Sequence, residues 1–202
     1  MKTVVWDVDD VLNDLMRVWF DAVWRPKHPK SELGYAEISE NPPDRVLGIS
    51  RADYLASLDE FRHSPAYARM EPIAQTLAWF EAHGHKCRHV ALTAVPLHAA
   101  HVSAGWVMRH YGRWVRSFVV IPSPRETDPP HAYDTTKGDY LKRTGIADLF
   151  IDDTEANVDD AMALGVSSLL FPRPWNRDRQ KPFGELFSTL ARTLDSSLED
   201  QP

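Results

Sequence analysis

At 202 residues, 43% hydrophobic and 26% charged, the chain is long enough for one full-sized core with an accessory segment, too short for two large domains, and too apolar for wholesale disorder. A formal charge of −6 without a Lys/Arg run leaves no electrostatic footprint for a nucleic-acid polymer, so none is expected as a partner. Cys87 is the only cysteine, which excludes an intramolecular disulfide; MKTVVWDVDD lacks the apolar stretch of a secretory signal, and no apolar run reaches the roughly 20 residues that span a bilayer. A cytoplasmic protein without membrane contact is the expectation.

In chain order, the first element is a β-rich run, TVVWD (3–7), followed at once by Asp9 and Asp10. Carboxylates this close disfavour one another's ionisation and need a cation, a network of donors or a solvated turn. Trp19, Phe20 and Trp24 then recur at helical spacing. Residues 14–70 interrupt the alternation with a Pro-rich polar stretch, RPKHPKSELGYAEISENPPDRVLG, and a short helix, SRADYLASLDEF (50–61). A structureless loop of that length is unusual in a compact domain, so an inserted helical lid is predicted.

From residue 71 the pattern becomes regular. EPIAQTLAWFEAHG (71–84) reads as a helix with Pro72 at its first position and Gly84 as its stop, Ile73, Leu77 and Phe80 forming the apolar face. The strands HVALT (89–93), SFVVI (117–121), DLFID (148–152) and SSLLF (167–171) follow, separated by gaps long enough for crossover helices. Among these, DTEANVDDAMALG (153–165) has Thr154 as N-cap and Gly165 as stop. The fold predicted is α/β: a doubly wound, Rossmann-like parallel sheet with a small helical cap inserted after the first strand. Its core is residues 1–13 and 71–195, its cap 14–70, and its tail 196–202.

Ligands in such sheets bind outside the carboxyl ends of the strands, where Asp7, Asp9, Thr93, Asp152 and Asp153 all fall, with Lys137 opening a helix in DTTKGDYL. Each residue alone has a plain structural reading: a solvated turn for the first aspartates, a satisfied strand hydroxyl for Thr93, a solvated helix residue for Lys137, helix capping for Asp152 and Asp153. HGHKCRH (83–89) invites a zinc reading, but Gly84 ends a helix inside it and no second ligand cluster exists, so a surface loop entering a strand is expected. Trp6, Trp79 and Trp106 read as core, His98 and His101 as an ordinary helix pair, and Asn157 stays outside the ligand set.

Taken together, VVWDVDDVL, VALTA, TTKGDY and LFIDDTEAN resemble the four motifs of the haloacid dehalogenase superfamily, in order and in the right strand context. The resemblance implies a phosphomonoester hydrolase. Asp7 would be the nucleophile, forming an aspartyl-phosphate, and Asp9 the acid and then the base. Mg²⁺ would lie between Asp7, the Asp9 backbone carbonyl and the acids Asp152 and Asp153, with Asp153 favoured as the direct ligand. Thr93, the Ala94 amide and Lys137 would hold the phosphate; Val8 and Asp10 would supply amides only. An acid at position 9 is, in that family, the mark of phosphatases and mutases.

VVWDVDDVL, ALTAVP, FIDDTEANV and LLFPRPWNR (169–177) further resemble the 5′(3′)-deoxyribonucleotidase-like branch, which implies a nucleoside 5′-monophosphate or another small phosphorylated metabolite as substrate, with Trp19, Phe20 and Trp24 as aromatics that would stack on its base; Arg125, read from its place in the loop PSPRETDPPHAYD, either meets a substrate anion or is solvated. Two alternatives use the same residues: an inactive phosphate-binding regulatory protein, and a phosphotransferase or phosphomutase.

Overall fold

A computed structural model describes residues 1–123, 125, 128 and 133–195; the expected tail, 196–202, lies outside the described residues. Alternation in the first strand sets the architecture. In β1 (Thr3–Trp6) Val4 and Trp6 face one side and Val5 the other, all fully buried, so both faces of this strand must be covered.

Between β1 and the next strand the chain is mostly helical. It runs through α1 (Leu15–Trp19), a π-helical turn (Phe20–Trp24), α2 (Arg25–Lys27), α3 (Asp44–Leu47), α4 (Arg51–Arg62) and α5 (Pro65–Ala68). α4 is the expected short helix; the Ser50 side chain caps it by accepting from the Asp53 amide at 3.0 Å.

The chain then alternates strand and helix: α6 (Ala74–His83), β2 (Arg88–Val95), α7 (Leu97–Tyr111), β3 (Val115–Pro122), α8 (Lys137–Thr144), β4 (Leu149–Asp152), α9 (Glu155–Ala163), β5 (Ser167–Leu170) and α10 (Phe183–Asp195). The five strands pair in parallel in the order β3-β2-β1-β4-β5, with Val5 beside Val90 on one edge and Phe150 on the other. This is the doubly wound α/β sheet expected. Trp6, Trp79, Phe80, Trp106 and Tyr111 fill one face together with α10; Val5, Leu92, Tyr140, Phe150 and Ala161 fill the other beneath α8 and α9. The three tryptophans read as core are buried there.

Two helix ends differ from expectation. Pro72 does not open α6, because Asn13 and Pro72 form an antiparallel bridge and the Ile73 amide donates to Leu12 O at 3.0 Å, so the helix begins at Ala74. Gly84 continues into a 3₁₀ turn with φ −59° rather than a left-handed stop; glycine is needed there because a Cβ would come within 2.7 Å of the Trp114 ring. Gly165, by contrast, does stop α9 at φ +81°. In the histidine-rich run, His89 is buried in β2, where its Nδ1 accepts from Trp6 Nε1 at 3.0 Å and its Nε2 meets Gly84 O at 2.8 Å.

No helix among the described residues is long and apolar enough to cross a membrane.

Candidate active site

The turn that leaves β1 is built to turn carboxylates toward the sheet edge. The amides of Leu12 and Asn13 both donate to Val8 O, at 2.9 and 3.1 Å, and Asp10 takes the left-handed conformation at φ +63°, which aspartate tolerates better than most residues. Asp10 is more than an amide donor, contrary to expectation. Its side chain is buried and accepts from the Met16 amide at 3.0 Å, which joins the turn to α1. Burial pushes the Asp10 carboxyl up to about 8, despite the nearby Arg173 guanidinium.

Asp7, Asp152 and Asp153 come together at the carboxyl ends of β1 and β4, each offering an oxygen within 4.8 Å of the others, all buried. Lys137 is placed among them by a capping box in which the Thr136 hydroxyl accepts from the Asp139 amide and the Asp139 carboxylate from the Thr136 amide, each at 3.0 Å. Its Nζ lies 2.7 Å from Asp7 Oδ1 and 2.7 Å from Asp152 Oδ2. Burial works against the ammonium, yet the two carboxylates outweigh it and hold Lys137 above its ordinary value.

The two acids after β4 have different surroundings. Asp152 is saturated: besides Lys137, its oxygens accept from the Thr154 amide at 2.8 Å and from Asn157 Nδ2 at 3.1 and 3.2 Å. The Thr154 side chain makes no capping bond to α9, and Asp152 reaches the amide of the N-cap residue and the Asn157 side chain rather than the first-turn amides. Asp153 lines the pocket and accepts from Trp175 Nε1 at 2.8 Å, while Asn176 Nδ2 donates to its backbone carbonyl at 2.8 Å.

Asp7 and Asp153, buried beside Asp152, are both held toward their protonated forms. Burial, with Asp152 and Asp153 nearby, raises Asp7 well above the carboxylate range although Lys137 opposes it. Burial and the Asp152 charge raise Asp153 to about 7. An all-oxygen, net-negative donor set of this kind suits a hard divalent cation such as Mg²⁺.

Across a pocket of about 190 Å³ from the acids, the Thr93 hydroxyl, which lies inside β2 because the strand runs past its expected end to Val95, is buried and finds no hydrogen-bond partner among the described residues. A buried hydroxyl costs free energy when unpaired, so a ligand oxygen would complete it. Ala94 and Arg125 line the same pocket. Arg125 is gripped by Asp59, with Nε to Oδ2 and Nη2 to Oδ1 both at 2.7 Å.

Trp19 and Phe20 do not reach the pocket. Both are buried in the main apolar cluster, Trp19 donating its indole N–H to Ser57 at 3.1 Å and packing edge-on against Tyr54, Phe20 stacked on Trp24 at 5.0 Å. The helical period that suggests a platform is the inward face of the insertion; Tyr54, Leu55, Leu58, Leu15 and Met16 form the pocket wall instead. The metal reading of HGHKCRH is not taken up either: among the described residues only the aspartate trio gathers enough ligand atoms to hold an ion.

Asp9 lines the pocket with its carboxylate divided between two donors, Arg62 Nη2 at 2.7 Å and Asn13 Nδ2 at 3.0 Å. Sequence reasoning misses Arg62, Asn13, Trp175 and Asn176. Only the RPWN tetrapeptide, 173–176, stands out in the sequence, as a resemblance with no role attached.

No protein-family model matches the chain, and no curated protein matches it by sequence. Solved structures do match. A predicted phosphatase from Clostridium acetobutylicum aligns over 95% of this chain and 98% of its own, with a TM-score of 0.60 at 12% identity. A HAD family hydrolase from Deinococcus radiodurans R1, solved with bound phosphate and sodium, aligns over 96% of each chain with a TM-score of 0.56 at 14% identity. A haloacid dehalogenase-like family hydrolase from Streptococcus pneumoniae aligns over 84% of each chain with a TM-score of 0.57 at 10% identity. At such identities the likeness is one of fold: the chain has the fold of haloacid dehalogenase-like hydrolases.

Proposed function

We propose that the protein is a Mg²⁺-dependent phosphomonoesterase of the haloacid dehalogenase superfamily, acting on a small phosphorylated metabolite, with residues 14–70 as a cap over a core of 1–13 and 71–195. The observation that carries this reading is the meeting of Asp7, Asp152 and Asp153 with Lys137 at the carboxyl edge of the sheet, where Asp7, Asp153, Lys137 and the unpaired Thr93 hydroxyl line one pocket.

In this reading Asp7 attacks the phosphorus and the ester oxygen leaves, giving an aspartyl-phosphate. Asp9 gives the leaving alcohol its proton, then takes one from the water that cleaves the acyl phosphate. Thr93 and the Ala94 amide donate to the phosphoryl oxygens, and Lys137 holds Asp7 and the transferring group by charge. Asp7, Asp153 and the Asp9 backbone carbonyl would hold Mg²⁺, with Asp152 anchored by its own donors beside them. When bound, the ion neutralises charge between nucleophile and phosphate.

The substrate pocket is small and its cap wall mostly apolar, with Tyr54 as its aromatic residue. With Trp19 and Phe20 in the core, stacking on a nucleobase has less support, and a nucleoside 5′-monophosphate becomes one member of a wider panel. Phosphate release from nucleotides, sugar phosphates and aryl phosphates, with and without Mg²⁺, tests the reading. Mg²⁺-dependent release by wild type, with a loss of more than about a thousandfold in Asp7→Asn, supports it. Binding of metal and phosphate without release, or transfer to an added alcohol in place of water, would overturn it.

A further inference from the structure

The fate of the Asp9 carboxylate points beyond the residues that meet the phosphate. Its two oxygens are held by different parts of the chain. Oδ1 accepts from Asn13, in the same turn, and Oδ2 from Arg62, the last residue of α4, which is 53 positions away. The Arg62 side chain is only 6% exposed, so this is a buried charged pair in which losing one partner strands the other.

Arg62 is itself oriented from the far side. Its Nη1 lies 3.4 Å from Asp59 Oδ1, one turn back on α4, and Asp59 is clasped by Arg125, just beyond β3. A charged chain, Asp9–Arg62–Asp59–Arg125, therefore runs from the β1 turn through the end of α4 to the segment after β3. Three of its members, Asp9, Arg62 and Arg125, line the pocket.

We infer that Arg62 is a positioning residue that sets the rotamer of Asp9 for proton transfer to the leaving group, with Asp59 and Arg125 holding Arg62 in place. The inference rests on the phosphatase reading above. A proton donor works only within hydrogen-bond reach of the leaving oxygen, and small misplacements are costly. Without Arg62, Asp9 keeps a single donor, Asn13, and is free to turn away from the substrate. A guanidinium that merely stabilised the fold would not make the proton-transfer step its point of failure.

The test compares kcat/KM for phenyl phosphate, whose leaving group needs a proton, with p-nitrophenyl phosphate, whose leaving group hardly does. The proteins are wild type, Asp7→Asn, Asp9→Asn, Arg62→Gln, Arg62→Lys and Asp59→Asn. Because kcat/KM reports only as far as the first irreversible step, the later hydrolysis of Asp7-phosphate does not enter. The expected result is a loss of about thirtyfold for phenyl phosphate in Arg62→Gln, less than about threefold for p-nitrophenyl phosphate, and partial recovery in Arg62→Lys. Asp9→Asn should show the same imbalance more strongly, and Asp59→Asn more weakly.

Equal losses on both substrates, or none, would overturn the inference. If circular dichroism shows Arg62→Gln to be unfolded, Arg62→Lys and Asp59→Asn decide the matter by the same ratio. Absence of Asp7-dependent turnover in wild type would be a different failure: it would remove the phosphatase reading, and the role of Arg62 with it.

Discussion

Lys137 Nζ donates to Asp152 Oδ2 at 2.7 Å in the fully buried floor of the site. The same ammonium reaches Asp7 at 2.7 Å, so one cation ties the first residue of α8 to the ends of two strands. Removing it leaves buried carboxylates without their partner. Lys137→Ala is expected to lower stability by about 3–5 kcal/mol at neutral pH and to abolish turnover. Denaturant unfolding measures the first effect and phosphate release the second, and added Mg²⁺ should restore part of the stability.

Trp175 fixes Asp153 through a single hydrogen bond of 2.8 Å from its indole N–H. Trp175→Phe removes that donor and keeps a smaller ring to pack against Tyr35. The expected outcome is a Mg²⁺ dissociation constant raised about tenfold, read by titration calorimetry, with little change in melting temperature in the absence of metal.

His89 gives the fold an acid-sensitive joint. Since its Nδ1 accepts from Trp6, its proton sits on Nε2 facing Gly84 O, and a second proton would break the Trp6 bond. Burial lowers its pKa below 6.5, although the Gly84 carbonyl opposes this. The unfolded chain therefore takes up the proton first. The contribution to stability is complete above pH 6.5 and is lost as pH falls toward the depressed folded value. His89→Leu strands both partners and should cost about 2–3 kcal/mol at pH 7.5. Between pH 7.5 and 5.5 its stability should lose less than that of wild type, measured by urea unfolding across that range.

Trp19 is expected to behave as a core residue. Trp19→Phe removes the bond to Ser57 and part of a fully buried ring, and should lower stability by about 2–3 kcal/mol while leaving KM for any turned-over phosphate ester within about twofold. A large KM change without a stability change would restore a role in binding substrate.

Much of the fold and part of the site are legible in the sequence. The five strands and the placement of Asp7, Asp152 and Asp153 at their ends follow from short apolar runs that finish abruptly in polar residues, a pattern imposed by burying both faces of a parallel sheet; Thr93 falls inside β2, because Ala94 and Val95 carry the strand on. What escapes is long-range and has no period. The Arg62–Asp9 pair joins the turn after β1 to the end of α4, and Trp175 and Asn176 reach Asp153 from a loop beyond β5, where an indole and an amide carry no signal of chemistry. Trp19 and Phe20 mislead for the opposite reason: helical spacing says which residues share a face and leaves open whether that face meets substrate or core.

If phosphate passes through Asp7, it can be trapped there as an acyl phosphate. Asp9→Asn, incubated with Mg²⁺ and p-nitrophenyl phosphate, quenched in acid and digested, should yield a phosphorylated peptide containing Asp7 that loses its phosphoryl group to hydroxylamine, and Asp7→Asn should yield none. Phosphate release undiminished in Asp7→Asn, or a phosphoryl group found on another residue, would rule out Asp7 as the nucleophile.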